Sequence, residues 1–213
     1  FGHPVPRVAG KGQQTGRQAA ARMVRADFTD AADTFVLDIR SAYGVPELRK
    51  LQRTFVYSRA ARGSLTVTDE VELSEPREFE TALITLGRWT RPAPATLVVY
   101  DLDAAVRVEI DAGGAAFDVQ AQQIKEDVRT RSLPTRIGIG LKDPAARAAI
   151  TLRITPEGEG PRTQREQGAR ATALEREQRP GRQQHRRGVA RSVVAVAGLG
   201  QGGERPAVHV EVG

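Results

Sequence analysis

The strongest constraint on the fold is an alternation of apolar and polar side chains between positions 65 and 73, which only Asp69 interrupts. Leu65, Val67, Val71 and Leu73 share one phase of this alternation, and polar residues fill the other phase. A period of two residues is typical of a β-strand with one buried face. Similar but shorter runs occur at positions 35–39, 55–57, 79–86, 96–100, 106–110, 117–121, 137–141 and 150–154.

Turn sequences separate these runs, for example at positions 91–94, 111–114 and 143–144. Helices long enough to connect parallel strands are not evident between them. We therefore predict an all-β fold, an antiparallel β-sandwich of about nine or more strands. Positions 18–26 favour a helix by residue propensity but are also compatible with a strand, and positions 41–50 contain a short helical turn in this interpretation.

The composition changes sharply after Pro156. Positions 157–213 contain no Phe, Tyr, Trp, Ile, Lys or Asp and are rich in Arg, Gly and Gln. Such a segment cannot bury enough apolar surface to offset the entropy of ordering. We predict a β-sandwich domain at 1–156 and a disordered tail at 157–213; a frameshift near Pro156 is the alternative explanation of the tail.

The charge distribution argues against nucleic acid as a partner of the folded part. The net charge is +6, but ten of the 32 Lys and Arg residues and six of the 26 Asp and Glu residues follow position 157. The first 157 residues are therefore almost neutral. The Arg-rich stretch at 179–188 lacks the aromatic residues that stack on bases. No apolar run reaches the roughly 20 residues of a membrane-spanning helix.

Few residues could carry chemistry. The chain has no Cys and three His residues, His3, His185 and His209, so neither a disulfide nor a thiolate metal site is predicted. Asp69 lies in the apolar phase of its strand, and a buried carboxylate needs a partner. We predict a structural ion pair with Arg53 rather than a catalytic acid.

Tyr43 is interpreted as an anchor for a loop, although a phenol can also donate a proton. The chain begins Phe1-Gly2-His3 without an initiator Met or a leader, so we expect a fragment or a processed chain. No catalytic or cofactor-binding set is recognised in the sequence.

An ordered series of short motifs resembles one family. The series comprises Gly2-His3-Pro4-Val5-Pro6, Gly10-Lys11-Gly12-Gln13, Ala19-Ala20-Ala21, Leu37-Asp38-Ile39, Ala42-Tyr43, Leu51-Gln52-Arg53-Thr54-Phe55 and Val67-Thr68-Asp69-Glu70. Over roughly residues 1–155 it resembles the final β-rich region of heparinase II/III-like polysaccharide lyases. The resemblance also favours a strand at positions 18–26.

This resemblance implies an enzyme made of an α/α toroid and a β-sandwich that cleaves uronate-containing polysaccharides, such as glycosaminoglycans or alginate, by β-elimination. The reaction needs a group that neutralises the carboxylate, a base and an acid. In the family these groups come from regions upstream of Phe1, so the fragment is expected to be inactive alone and to support the toroid and the substrate cleft. The parent protein would be periplasmic or secreted.

The family also implies a metal ligand. His3 resembles the last ligand of a structural zinc or other divalent metal whose remaining ligands lie upstream, so the fragment alone is not expected to hold the metal. The alternative function is a stand-alone carbohydrate-binding or surface-interaction module, in which Trp89, the only Trp, would be the first residue to test.

Overall fold

The computed structural model of the protein describes residues 3–17, 19–101, 104–125 and 132–158. Apart from its first two residues, the predicted tail at 157–213 lies outside the described residues, and so do His185 and His209. The proposed division into two domains therefore stays a prediction.

The described residues form β-strands joined by short turns. The strands are β1 (Arg7–Val8), β2 (Arg22–Phe28), β3 (Ala32–Asp38), β4 (Leu48–Ser58), β5 (Ser64–Arg77), β6 (Phe79–Thr85), β7 (Arg88–Ala93), β8 (Thr96–Asp101), β9 (Ala104–Asp111), β10 (Phe117–Gln123), β11 (Thr135–Leu141) and β12 (Ala145–Pro156). One 3-10 helix, Arg40–Ala42, follows β3 and overlaps the predicted helical turn. The ambiguous segment at 18–26 contributes to strand β2, as the resemblance favours.

The strands form two antiparallel sheets. The smaller sheet has the order β1-β6-β11-β10, and the larger sheet has the order β2-β3-β4-β5-β12-β9-β8-β7. Every strand pair is antiparallel, which agrees with short turns as connections. The prediction of an antiparallel β-sandwich with nine or more strands is confirmed.

The core lies between the two sheets. Val71 of β5 and Ile150 and Leu152 of β12 are fully or almost fully buried, as are Ile137 and Ile139 of β11 in the opposite sheet. The alternation predicted for positions 65–73 thus matches the side of β5 that faces the core. Burying one such side chain contributes roughly 1.5–3 kcal/mol.

One turn prediction was wrong. A turn was predicted at positions 91–94. In the structure, Arg91-Pro92-Ala93 continue strand β7, and the turn to β8 begins only at Pro94. Strand β7 is an outer strand of the larger sheet, and Pro92 lies at the irregularity between Thr90 and Ala93, where the register with β8 shifts; outer strands and bulges are where sheets tolerate proline. Strand β7 therefore continues through Pro92 to Ala93.

The unequal size of the sheets leaves one end of the larger sheet without a matching layer. Eight strands face four, and strands β2 and β3 carry mostly exposed or half-buried residues. In the described part of the chain, no helix is long and apolar enough to cross a bilayer.

Candidate functional site

A buried ion pair joins β4 to β5 inside the sandwich. Arg53 and Asp69 are directly opposite each other in the strand register. The guanidinium donates two hydrogen bonds to the carboxylate, from Nε to Oδ1 and from Nη2 to Oδ2, both 2.7 Å long. Thr81 of the facing sheet donates from Oγ1 to Asp69 Oδ2 at 2.6 Å. The predicted pairing of Asp69 with Arg53 is confirmed.

The Arg53–Asp69 pair is buried, and this sets the pKa of Arg53. Arg53 is 7% exposed and Asp69 is 1% exposed. Burial alone would lower the pKa of Arg53, but the charge and hydrogen bonds of Asp69 outweigh it, so that the pKa lies above its ordinary value. Arg53 therefore stays cationic inside the protein, and its Nη1 group, which does not bond Asp69, is available to another acceptor.

Arg53 Nη1 holds the N-terminal segment, which we define as residues 3–6. Arg53 Nη1 donates to the carbonyl of Pro4. The next carbonyl, of Val5, accepts a 3.5 Å hydrogen bond from Arg136, a buried residue of β11 that also forms an ion pair with Glu80. The segment thus lies against both sheets.

Tyr43 holds the third consecutive carbonyl. Its hydroxyl donates to Pro6 O at 2.8 Å, and the side chain is buried. Tyr43 therefore anchors the N-terminal segment, in agreement with its interpretation as a loop anchor. Burial raises the pKa of the phenol, the charge of Arg53 lowers it in part, and the result lies well above the ordinary value.

Removing this hydroxyl tests the anchor. Because the Tyr43→Phe variant leaves a buried carbonyl without its donor, we expect a loss of about 1–3 kcal/mol in the free energy of unfolding. The folded protein holds the phenol proton more tightly than the unfolded chain. The stability difference between wild type and variant should therefore be complete below the ordinary tyrosine pKa of about 10 and shrink as the pH rises above it. Urea unfolding at two pH values measures both effects, and a pH-independent difference would contradict the assignment.

His3 is exposed and lies at the outer end of the N-terminal segment. The described residues include no group of three or more His, Asp and Glu side chains placed to hold a metal ion. The residues described here do not, on their own, fit a metal site. The assignment of His3 as a metal ligand stays a prediction.

Beside the N-terminal segment, one side of strands β2, β3 and β4 forms an apolar surface. We call this surface the uncovered face. According to the strand register, its apolar side chains, on the same side as Arg53, are Met23, Phe28, Phe35, Leu37, Phe55 and Tyr57. Asp33 lies on the same side between Phe28 and Tyr57 and forms an ion pair with Arg59, whose guanidinium lies 5.5 Å from the centre of the Tyr57 ring. Met23, Phe28 and Tyr57 are 57%, 58% and 45% exposed. The guanidinium of Arg53 lies 5.8 Å from the centre of the Phe55 ring, so this surface adjoins the buried ion pair.

Trp89 occupies a different place. It lies on the outer strand β7, is half-buried and packs against the core. Its ring therefore packs largely within the sandwich. Among the described residues, the most exposed aromatic side chains, Phe28 and Tyr57, lie on the uncovered face instead. Sequence analysis missed this surface because it depends on which strands become neighbours.

A polar groove of about 350 Å³ lies on the opposite side of the smaller sheet, lined among others by Arg7, Glu80, Asp118, Gly138 and Gly140. The two glycines leave space above β11, and the Glu80 carboxylate lies across Gly138. A glycine within a strand often marks a place where another group approaches the backbone closely. Because charges of both signs line the groove, it does not select an acidic polymer.

Comparison with known proteins supports a fold assignment. No protein-family model matches the chain, and no curated protein sequence matches it. Among solved structures, a heparinase III gene product matches with a TM-score of 0.59 and 13% identity, covering 73% of this chain and 24% of that protein.

Two further structures agree. The heparan sulfate lyase HepC from Pedobacter heparinus has a TM-score of 0.58 and 10% identity, covering 76% of this chain and 25% of that one. Another heparinase III structure has a TM-score of 0.55 and 12% identity, covering 74% of this chain and 24% of that one. At such identities the likeness shows a shared fold rather than a shared activity. The chain has a heparinase III-like fold and spans about a quarter of the length of these structures.

Proposed function

We propose that this chain is the β-sandwich portion of a heparinase II/III-like polysaccharide lyase. In the complete enzyme it packs against an α/α toroid and helps to form the cleft for an acidic, uronate-containing polysaccharide. The groups that perform β-elimination lie outside this portion, so the portion is inactive alone. The fold likeness, which extends over about a quarter of the heparinase III structures, supports a portion of a larger enzyme.

The uncovered face is the observation that carries this proposal. Contiguous apolar side chains on a protein surface mark places where another protein surface packs. Here they adjoin a segment that Arg53, Arg136 and Tyr43 hold against the sandwich. A largely apolar face with one ion pair, Asp33 with Arg59, beside a hydrogen-bonded N-terminal segment suits a domain that docks onto a preceding one.

His3 belongs to the same proposal. Hydrogen bonds to the carbonyls of Pro4, Val5 and Pro6 hold the backbone that directly follows His3 against the sandwich. In the complete enzyme we propose that His3 joins ligands from the preceding region around a structural metal. The parent protein would be exported, and cell fractionation would find it in the periplasm or the medium.

The test of inactivity is direct. The isolated 213-residue chain, incubated with heparan sulfate, other glycosaminoglycans or alginate, should release no unsaturated uronate products, measured by their ultraviolet absorbance. His3→Ala serves as a matched variant that should behave identically. Product formation by the purified chain that disappears on Tyr43→Phe would overturn the proposal and place catalysis in the sandwich.

A carbohydrate-binding module is the second candidate, because Phe28, Phe35, Phe55 and Tyr57 place aromatic rings on the uncovered face. Rings on a flat sheet can stack against sugars. Under this alternative, the chain would be retained on immobilised uronate polysaccharide, and Tyr57→Ala would weaken retention while Trp89→Ala would not. Absence of retention favours the docking role.

A further inference from the structure

Strand β2 is an outer strand with unused backbone groups. In the described part of the chain it pairs with β3 alone, and all seven of its residues are exposed. The hairpin to β3 closes with a hydrogen bond from Thr29 N to Ala32 O of 3.0 Å. Because hydrogen-bonded and non-bonded pairs alternate along antiparallel strands, the N–H and C=O groups of Ala26 and Phe28 point away from β3.

The side chains of β2 are self-complementary. A bulge lies between Met23 and Arg25, and from Arg25 to Phe28 the strand is regular. Arg25 and Asp27 flank Ala26 on the same side of the sheet, 2.6 Å apart and largely exposed. In an antiparallel pair of two copies centred on Ala26, Arg25 of each copy lies opposite Asp27 of the other, which stabilises the pair.

We propose that a second copy of this chain binds along β2. A two-fold axis through the Ala26 pair would join the two larger sheets into one continuous sheet, with the same residues contributed by both copies. The order of charges, Arg25 then Asp27, favours another copy as the partner. An antiparallel copy places Asp27 opposite Arg25 and Arg25 opposite Asp27, whereas an unrelated strand would match only if it carried charges of opposite sign at the same two positions.

The other outer strand of the larger sheet is less suited to such pairing. Strand β7 contains Pro92, which has no N–H group to donate. Proline on an outer strand is one of the ways in which proteins prevent pairing with further strands. Strand β2 has no proline.

The two-fold arrangement keeps both uncovered faces on the same side of the joined sheet. Docking of another domain on those faces and pairing along β2 therefore use different surfaces, the first the side chains and the second the backbone edge. The dimer and the lyase assignment are consequently independent, and either can fail without the other.

Charge reversal tests the pairing. Sedimentation velocity of the full chain over a wide range of loading concentrations should show a reversible dimer. Arg25→Asp places two carboxylates opposite each other at two symmetric positions, and Asp27→Arg does the same with two cations. Each variant should raise the dimer dissociation constant at least about tenfold.

The double variant Arg25→Asp with Asp27→Arg restores opposite charges in both copies and should regain dimerisation. Arg153→Asp, which changes an exposed arginine in the middle of the same sheet, is the control and should leave the dimer unchanged. Ala26→Pro removes the outward N–H group and should give a folded monomer by circular dichroism. A wild-type monomer at every concentration would overturn the proposal, and so would a double variant that does not regain dimerisation.

Discussion

Replacing Asp69 with alanine should lower the free energy of unfolding by about 3–5 kcal/mol. The substitution leaves Arg53, which is 7% exposed, without the carboxylate that accepts two of its hydrogen bonds. A buried charge without a partner is costly because the protein interior does not replace water around it. Thr81 also loses its acceptor, and the donor of Arg53 to the Pro4 carbonyl is no longer held in place.

An exposed ion pair on the same two strands is the control. Lys50 of β4 and Glu70 of β5 are 3.1 Å apart, but both side chains are about two-fifths exposed. Glu70→Ala should cost about 0–1 kcal/mol, as exposed pairs do. The double variant Arg53→Met with Asp69→Leu removes both charges and should be more stable than Asp69→Ala. Urea unfolding compares the variants, and equal losses for Asp69→Ala and Glu70→Ala would contradict the buried pair.

Gly87→Ala should cost about 3 kcal/mol. Gly87 lies between β6 and β7, and a methyl group at this position would come within 1.8 Å of the backbone carbonyl oxygen of Tyr100. A backbone atom cannot rotate away as a side chain can, so the turn between β6 and β7 must move relative to β8. That movement would also disturb the 2.9 Å hydrogen bond from Gly87 N to Thr85 Oγ1.

Gly12→Ala is the matched control. A methyl group at Gly12 meets nothing within 4 Å, so this variant should change the free energy of unfolding by less than about 0.5 kcal/mol. Thermal and urea unfolding of the two variants measure the difference. If Gly87→Ala unfolds like Gly12→Ala, the close approach of this turn to Tyr100 is wrong.

Local patterns predicted much of the sandwich. The alternation along β5 identified its core side and placed Asp69 there, and the preceding strand supplied Arg53 as its partner. Such predictions succeed because successive side chains in a strand point to opposite faces of the sheet, so the sequence position alone indicates which residues share a face. Strand β7 was missed because proline was interpreted as a turn residue, whereas an outer strand tolerates it.

The contacts of the N-terminal segment could not be predicted in the same way. The hydrogen bond from Arg53 to Pro4 spans 49 positions in the chain, and that from Arg136 to Val5 spans 131. Backbone carbonyls carry no residue-specific signal, so the sequence does not indicate which ones a buried arginine will contact. The uncovered face likewise depends on strand order and on the unequal sizes of the two sheets, which no local pattern records.

The coding sequence upstream of Phe1 tests the central claim most directly. Read in frame for several hundred codons, it should encode a series of amphipathic helices, typical of a toroid, with Tyr, Asn and His residues available for β-elimination. That result would place the catalytic groups before the sandwich and give the uncovered face its partner. A start codon immediately before Phe1, or an unrelated linker there, would contradict the lyase assignment and leave the sandwich as a binding module.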